Sequence, residues 1–90
     1  MKLRALFHRW TVFEDIVVAQ YAIDRKTDPK SIGKVAMLLG LSDNQVAFRM
    51  SNYTKLIQNR MTGWHCSKQE KAVFDWLMFI NKRGLSIKSI

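Results

Sequence analysis

Apolar positions recur at steps of three and four along most of this chain, the spacing that marks the buried side of an α-helix. No segment alternates apolar and polar residues in the way that is typical of a half-buried strand. The pattern therefore predicts an all-α fold, with helices over residues 11–25, 29–39, 43–58 and 68–82.

Each predicted helix is preceded by a residue suited to begin it. Thr11, Ser42 and Ser67 each stand three residues before a Glu or Gln, which is the spacing of a capping box. Asp28 precedes Pro29, a pair that fits the N-cap and the first position of a helix. These signals predict where the four helices begin.

The same periodicity predicts which side chains face the core. Trp10, Trp64 and Trp76 are expected to anchor the core or its rim. The predicted inward rows are Val12, Ile16, Ala19 and Ile23, then Ile32, Val35, Ala36 and Leu39, then Val46, Met50, Tyr53 and Ile57, and finally Val73, Trp76, Leu77 and Ile80.

The second and third predicted helices are separated by a short segment that begins at Gly40. A glycine there suits a helix end in the left-handed conformation, and the small Ala36 allows two helices to cross closely. A helix, a tight turn and a capped second helix form a helix-turn-helix, which offers its second helix to the major groove of DNA.

The domain organisation follows from these elements. Residues 1–90 are expected to form a single domain, because 90 residues suffice for one small core. Its predicted parts are a basic N-terminal segment, a helix-turn-helix core, an additional helix and a tail, over residues 1–9, 10–60, 61–84 and 85–90.

The third helix carries the candidate DNA-reading side chains. With Val46 at the centre of its buried side, we expect Gln45 and Arg49 on one flank and a mainly polar set on the far side. That far-side set is Asn44, Phe48, Ser51, Asn52 and Lys55. Arg pairs with guanine, and Asn or Gln with adenine, so the predicted base-reading residues are Asn44, Gln45, Phe48, Arg49 and Asn52.

Phe48 is unusual because an aromatic ring stands almost opposite the buried row. The favoured interpretation is that the N-terminal segment or the last helix covers it. Contact with a thymine methyl group and a protein contact patch are the alternatives.

The charge balance points to an acidic partner. Fifteen Lys and Arg face seven Asp and Glu, which gives a net charge of +8. The residues expected to contact phosphates are Lys30, Lys34, Lys55, Arg60, Arg4 and Arg9.

Other functional classes find little support. Cys66 with His8 and His65 falls short of the four ligands of a structural zinc. The helix start near Cys66 favours a depressed thiol pKa, but no network orients a nucleophile, and Glu14-Asp15 fits a helix dipole better than an active site. We therefore predict no enzyme, no cofactor, no metal and no small-molecule substrate.

The location follows from the same composition. With no apolar run long enough for a transmembrane segment and a single cysteine, we predict an intracellular protein, in the cytoplasm or at the nucleoid or nucleus, without a membrane partner.

Two families share motifs with this chain. Trp10-Thr11-x-x-Glu14-Asp15, followed by Ala36, Gln45-Val46, Arg49 and Asn52-Tyr53, resembles a Myb/SANT-type, homeodomain-like three-helix domain over about residues 10–57. The second and third spaced tryptophans of that pattern are missing, and Met50 stands where Trp is common. The resemblance implies a DNA-binding or protein-binding helical domain.

The segment Ala36-x-x-Leu39-Gly40-Leu-Ser-x-x-Gln-Val46-Ala47-Phe48-Arg49-Met50-Ser51-Asn52-Tyr53, with Gly63-Trp64 and Ser67 after it, is similar to the helical region preceding the nuclease domain in some HNH-type endonucleases. It lacks the His-Asn-His pattern of the catalytic part, so the resemblance implies a stand-alone version of the piece that engages DNA.

The sequence therefore predicts a small protein that binds duplex DNA and regulates transcription or another DNA transaction. A homodimer or a second protein is the expected source of further specificity, since one such module covers little DNA. The alternative is a protein-interaction module that binds an acidic protein surface and inhibits or modifies an enzyme such as a polymerase or nuclease.

Overall fold

The computed structural model describes residues 8–58 and 66–82, and within them the fold is all-helical. Helix boundaries agree with the predicted ones to within two residues. The four helices are α1 (Val12–Ile23), α2 (Pro29–Leu39), α3 (Asp43–Ile57) and α4 (Lys68–Lys82).

Every predicted helix start is confirmed by a side chain that accepts a hydrogen bond from the backbone N–H three residues on. The Oγ atoms of Thr11, Ser42 and Ser67 accept at 3.1 Å each, and Glu or Gln reaches back to the cap N–H in all three. Asp28 accepts from the Ser31 N–H at 3.4 Å. Such caps satisfy backbone donors that the first turn leaves unpaired.

The turn between α2 and α3 depends on Gly40, as predicted. Its φ is 71°, in the left-handed region, and the Leu41 N–H donates to the Ala36 carbonyl at 2.9 Å to close the end of α2. Ala36 is buried where the two helices meet. Three residues, 40–42, therefore suffice to redirect the chain into α3.

The end of α1 uses the same device with a different residue. Arg25 has a φ of 61°, and the Lys26 N–H donates to the Tyr21 carbonyl at 2.9 Å. The helix thus ends at Ile23, two residues before the predicted end, because the chain enters the left-handed turn there.

One hydrophobic core holds the four helices together, with α1 packed against both α3 and α4 and α2 packed mainly against α3. The fully or nearly buried apolar residues are Val18, Ala19, Ala22, Val35, Ala36, Val46, Met50, Tyr53, Val73, Leu77 and Ile80. The predicted inner rows of α2 and α3 are confirmed, except that Ile57 is exposed.

Two predicted rows need correction. In α1, Val12 is exposed, and the buried positions are Asp15, Val18, Ala19, Gln20 and Ala22. The rest of the predicted row holds, because Ala19 is buried and Ile16 and Ile23 are partly buried against the core. In α4, Trp76 is 47% exposed and does not anchor the core, which is filled by Val73, Leu77 and Ile80.

The described helices include none that is both long and apolar enough to cross a membrane.

Candidate nucleic-acid interface

The outward side of α3 carries a single exposed stripe, at steps of four, three and four. Its members are Asn44, Phe48, Ser51 and Lys55, all exposed to solvent. The stripe faces away from the core because Val46, Met50 and Tyr53 occupy the opposite side of the helix. We call these four residues the outer stripe.

The outer stripe has no carboxylate, and the part of the chain that the structure describes supplies no side-chain hydrogen bond or ion pair to Asn44, Ser51 or Lys55. Phe48 lies at its centre and is 71% exposed. The interpretation that another segment covers Phe48 is therefore wrong. Three polar side chains and one ring are available to a partner.

Further positive charge lies on α2. Lys30 and Lys34 are exposed one turn apart on the side of α2 that faces away from buried Val35 and Ala36. Arg9 is also exposed, ahead of α1. Of the predicted phosphate-contacting residues, Lys30, Lys34, Lys55 and Arg9 are therefore accessible, and Arg4 and Arg60 lie outside the described residues.

Arg49 does not join the outer stripe, although it was predicted to flank it. Its guanidinium makes a two-pronged contact with Asp15, from Nε to Oδ1 and from Nη2 to Oδ2, both at 2.8 Å. Its Nη1 lies 3.5 Å from Glu70 Oε1, and its Cζ lies 4.9 Å from the ring centre of Trp10. The Arg49 side chain is only 14% exposed.

Asn52 is also turned inward, so the prediction that it projects to the far side is wrong. The residue is 7% exposed, and its Nδ2 donates to Glu70 Oε2 at 2.9 Å. Glu70 is itself almost fully buried and accepts at Oε1 from the Ser67 N–H at 2.8 Å. A base edge cannot reach the Asn52 amide without breaking this contact.

Gln69 completes the cluster from α4. Its Nε2 donates to Asp15 Oδ2 at 2.7 Å and to the Trp10 carbonyl at 2.9 Å. Asp15, Arg49, Asn52, Gln69 and Glu70 thus join α1, α3 and α4 through one set of hydrogen bonds, which we call the polar junction.

The electrostatics of the polar junction keep Arg49 charged. Burial alone would lower the pKa of Arg49, but the hydrogen-bonded Asp15 and the nearby Glu70 raise it above its ordinary value. Burial and the Asp15 carboxylate also raise the pKa of Tyr53, so that hydroxyl stays protonated. Two buried carboxylates need such a cation, because an unpaired buried charge is costly.

Gln45 has a role at the start of α3. Its Oε1 accepts from the Ser42 N–H at 3.0 Å, which holds the side chain at the helix N-terminus. Of the five predicted base-reading residues, Asn44 and Phe48 lie on the outer stripe, Gln45 serves the cap, and Arg49 and Asn52 belong to the polar junction.

A small polar cluster precedes α1. Glu14 Oε1 accepts from the Thr11 N–H and contacts His8 Nε2, both at 2.9 Å. Burial alone would raise the pKa of Glu14, but these hydrogen bonds from Thr11 and His8 lower it. Glu14 is thus part of a helix cap, which agrees with the structural interpretation of the Glu14-Asp15 pair.

The predicted depression of the Cys66 thiol pKa is wrong. Cys66 is buried, and burial together with the Glu70 carboxylate raises the pKa of the thiol. A protonated thiol is a poor nucleophile. Across residues 8–58 and 66–82, no three His, Cys, Asp or Glu side chains cluster as a metal site would require.

Sequence reasoning missed the polar junction, although a signal was present. Asp15 stands three and seven residues before Val18 and Ala22, which places it on the buried row of α1. Asn52 stands four residues before Leu56, which packs against the core, and this spacing places the two on one side of α3. Polar residues in such positions call for partners, and here other helices supply them.

Comparison with protein-family models, with curated proteins and with solved structures finds no match for this chain. The resemblance to Myb/SANT-type domains and to the helical region of HNH-type endonucleases therefore stays a prediction.

Proposed function

We propose that this chain binds duplex DNA, with α2 and α3 acting as a helix-turn-helix and α3 lying in the major groove. The observation that carries the proposal is the outer stripe: an exposed, carboxylate-free row of hydrogen-bonding and apolar groups along one side of α3. We further propose that the protein regulates transcription or another DNA transaction.

The dimensions of α3 support this docking. Its 15 residues extend about 22 Å, and the major groove is about 12 Å wide, enough to admit an α-helix. In helix-turn-helix proteins the start of the second helix meets base edges while the first helix crosses the phosphate backbone. Asn44 and Phe48 lie in the first half of α3, and Lys30 and Lys34 are exposed on α2.

The chain carries an excess of positive charge, most of it outside the polar junction. The polar junction takes up two carboxylates, Asp15 and Glu70, but only one cation, Arg49. Fourteen of the fifteen basic residues and five of the seven acidic ones remain for the rest of the chain, a balance of +9. This charge favours a polyanion such as DNA.

Arg49 and Asn52 act in this proposal as positioning residues. They hold the inward side of α3 against α1 and α4, and this fixes the direction in which the outer stripe points. Direct contact with bases is assigned to Asn44 and Phe48, with support from Ser51 and Lys55.

The test is binding of the purified chain to random-sequence duplex DNA at about 50 and 200 mM salt. Four accessible cations, Lys30, Lys34, Lys55 and Arg9, imply a slope near −3.6, so the affinity should fall about a hundredfold over that range. Lys55→Ala should reduce the slope by about 0.9.

Lys68→Ala is the matched control, because Lys68 is equally exposed but lies on α4, opposite the buried Leu77. Its salt slope should equal that of the wild type. Undetectable binding at the lower salt concentration would contradict the proposal.

A second candidate function rests on a separate observation. Trp76, Met78 and Phe79 are exposed on α4, and large exposed apolar side chains often mark protein contacts. On this alternative the chain binds an acidic protein surface. This alternative would be favoured if the chain failed to bind DNA but bound an acidic protein such as a polymerase subunit.

A further inference from the structure

Phe48 stands out within the outer stripe because its ring is exposed among groups that form hydrogen bonds. Asn44 precedes it by one turn, and Ser51 and Lys55 follow it. An aromatic ring in this position gains little from water and is free to contact whatever α3 meets.

Base edges in the major groove offer a ring one apolar target. Guanine, cytosine and adenine present donors and acceptors there, whereas thymine adds a 5-methyl group. A ring placed against the polar edges would cover groups without giving them a hydrogen bond, and unsatisfied buried groups are penalised. A ring against the methyl group removes apolar surface from water on both sides.

From this chemistry we propose that Phe48 reads the 5-methyl group of a thymine, and that this contact determines part of the sequence preference. The inference rests on the proposed function, because it presumes that α3 lies in the major groove. It adds the chemical group that the one aromatic side chain of the outer stripe recognises.

The spacing of Asn44 and Phe48 extends the inference to a second base. Four residues along an α-helix rise about 6 Å, and successive base pairs are about 3.4 Å apart. An Asn side chain pairs with the N6 and N7 atoms of adenine. We therefore expect the preferred site to contain an adenine about two base pairs from the thymine.

Charge favours an anionic occupant for this side of α3, and the distribution of exposed apolar side chains favours DNA over a protein. Lys55 lies on the same stripe, Lys30 and Lys34 are exposed on α2, and no stripe residue carries a carboxylate. Other exposed apolar side chains lie in groups elsewhere: Met37 and Leu38 on α2, and Trp76, Met78 and Phe79 on α4. A protein partner would have more apolar surface to cover there.

The experiment begins with selection of preferred duplexes from a random pool by the full chain. Each thymine of the selected site is then replaced by deoxyuridine, which pairs identically but lacks the methyl group. One replacement should lower the wild-type affinity about fourfold, the amount expected for exposing one buried methyl group.

Phe48→Ala provides the decisive comparison. The variant should bind the thymine and deoxyuridine duplexes equally, because the partner of the methyl group is gone. Lys55→Ala should weaken binding to both duplexes but retain the fourfold difference between them. Both positions are exposed, so both variants should keep the wild-type melting temperature.

Each other outcome overturns a defined part of the account. A deoxyuridine effect that persists in Phe48→Ala, or the absence of any effect in the wild type, would contradict the methyl contact and leave DNA binding intact. Failure of the wild type to bind any duplex would contradict the proposed function as well.

Discussion

Asn44 and Asn52 lie on the same helix, have the same side chain, and occupy opposite surroundings. Asn52 is almost fully buried and donates to Glu70 at 2.9 Å, whereas Asn44 is exposed on the outer stripe. The two basic side chains of α3 differ in the same way. Arg49 donates two hydrogen bonds to the Asp15 carboxylate, whereas Lys55 is exposed to solvent.

This difference teaches that residue type alone does not locate a binding face on a helix. Arg, Asn and Gln are the residues that read bases, but they are also the residues that hold helices together when buried carboxylates need partners. Whether a side chain points inward or outward decides between the two roles. In α3, Arg49 and Asn52 point inward because they bond to carboxylates of the polar junction.

The largest expected effect comes from the inward side. Arg49→Ala leaves the buried carboxylates of Asp15 and Glu70 without their cation, and breaking such a pair costs about 3–5 kcal/mol. Urea denaturation, followed by helical circular dichroism, measures the change in the free energy of unfolding.

Lys55→Ala is the control, since it removes one cation from the outward side. Its free energy of unfolding should stay within about 0.5 kcal/mol of the wild type. A loss below about 1 kcal/mol in Arg49→Ala would show that the polar junction does not hold the fold.

The asparagine pair sharpens the comparison. Asn52→Ala leaves one oxygen of buried Glu70 without its donor, so we expect a loss of about 1–3 kcal/mol in stability. Asn44→Ala should leave stability within about 0.5 kcal/mol of the wild type. It should weaken binding to the preferred duplex by about 1–3 kcal/mol. An equal loss of stability in the two variants would break the distinction between the two sides.

Gly33 lies within α2 and Gly40 ends it, and replacing each with alanine should change stability by smaller amounts of opposite sign. Gly40→Ala should cost about 1–2 kcal/mol, because φ is 71° while nothing lies within 4 Å of the added Cβ. Gly33→Ala should stabilise α2 by up to about 1 kcal/mol, since the added Cβ meets only Asp43 Oδ2, at 3.9 Å. The melting temperatures of both variants show whether each change stabilises or destabilises the fold. A higher melting temperature for Gly40→Ala would mean that the turn before α3 does not require a glycine.

The smallest effect concerns Glu14, in the capping box of α1. Its pKa in the folded state lies below the ordinary value of 4.5, so the ionised carboxylate stabilises the fold above that pH. The contribution is lost as the pH falls through the folded-state pKa. Glu14→Gln keeps a side chain suited to the capping box, and its stability should fall less steeply between about pH 6 and 3, by under about 1 kcal/mol. Identical pH profiles would contradict this role.

Local features of the fold were predictable from the sequence. The three capping boxes and the Asp28 cap each involve residues three positions apart, and the Gly40 turn is equally short-range. Such contacts form within one segment, so the segment's own residues determine them.

The polar junction was not predictable in the same way. Arg49 and Asp15 are 34 residues apart, and Gln69 and Asp15 are 54 apart. Whether these side chains meet depends on how three helices pack, and periodicity within one helix carries no such information. Periodicity within α3 did place Asn44, Phe48, Ser51 and Lys55 correctly on the far side, but it also placed Asn52 there and left Arg49 without its partners on a flank.

The most direct test of the proposed function is whether the outer stripe of α3 contacts DNA. A photoreactive benzophenone side chain at Phe48 should cross-link to the preferred duplex on irradiation, whereas the same group at the exposed Phe79 of α4 should not. Cross-linking from position 79 but not from position 48, in a chain that binds the duplex, would contradict the assignment of the outer stripe as the DNA-reading face.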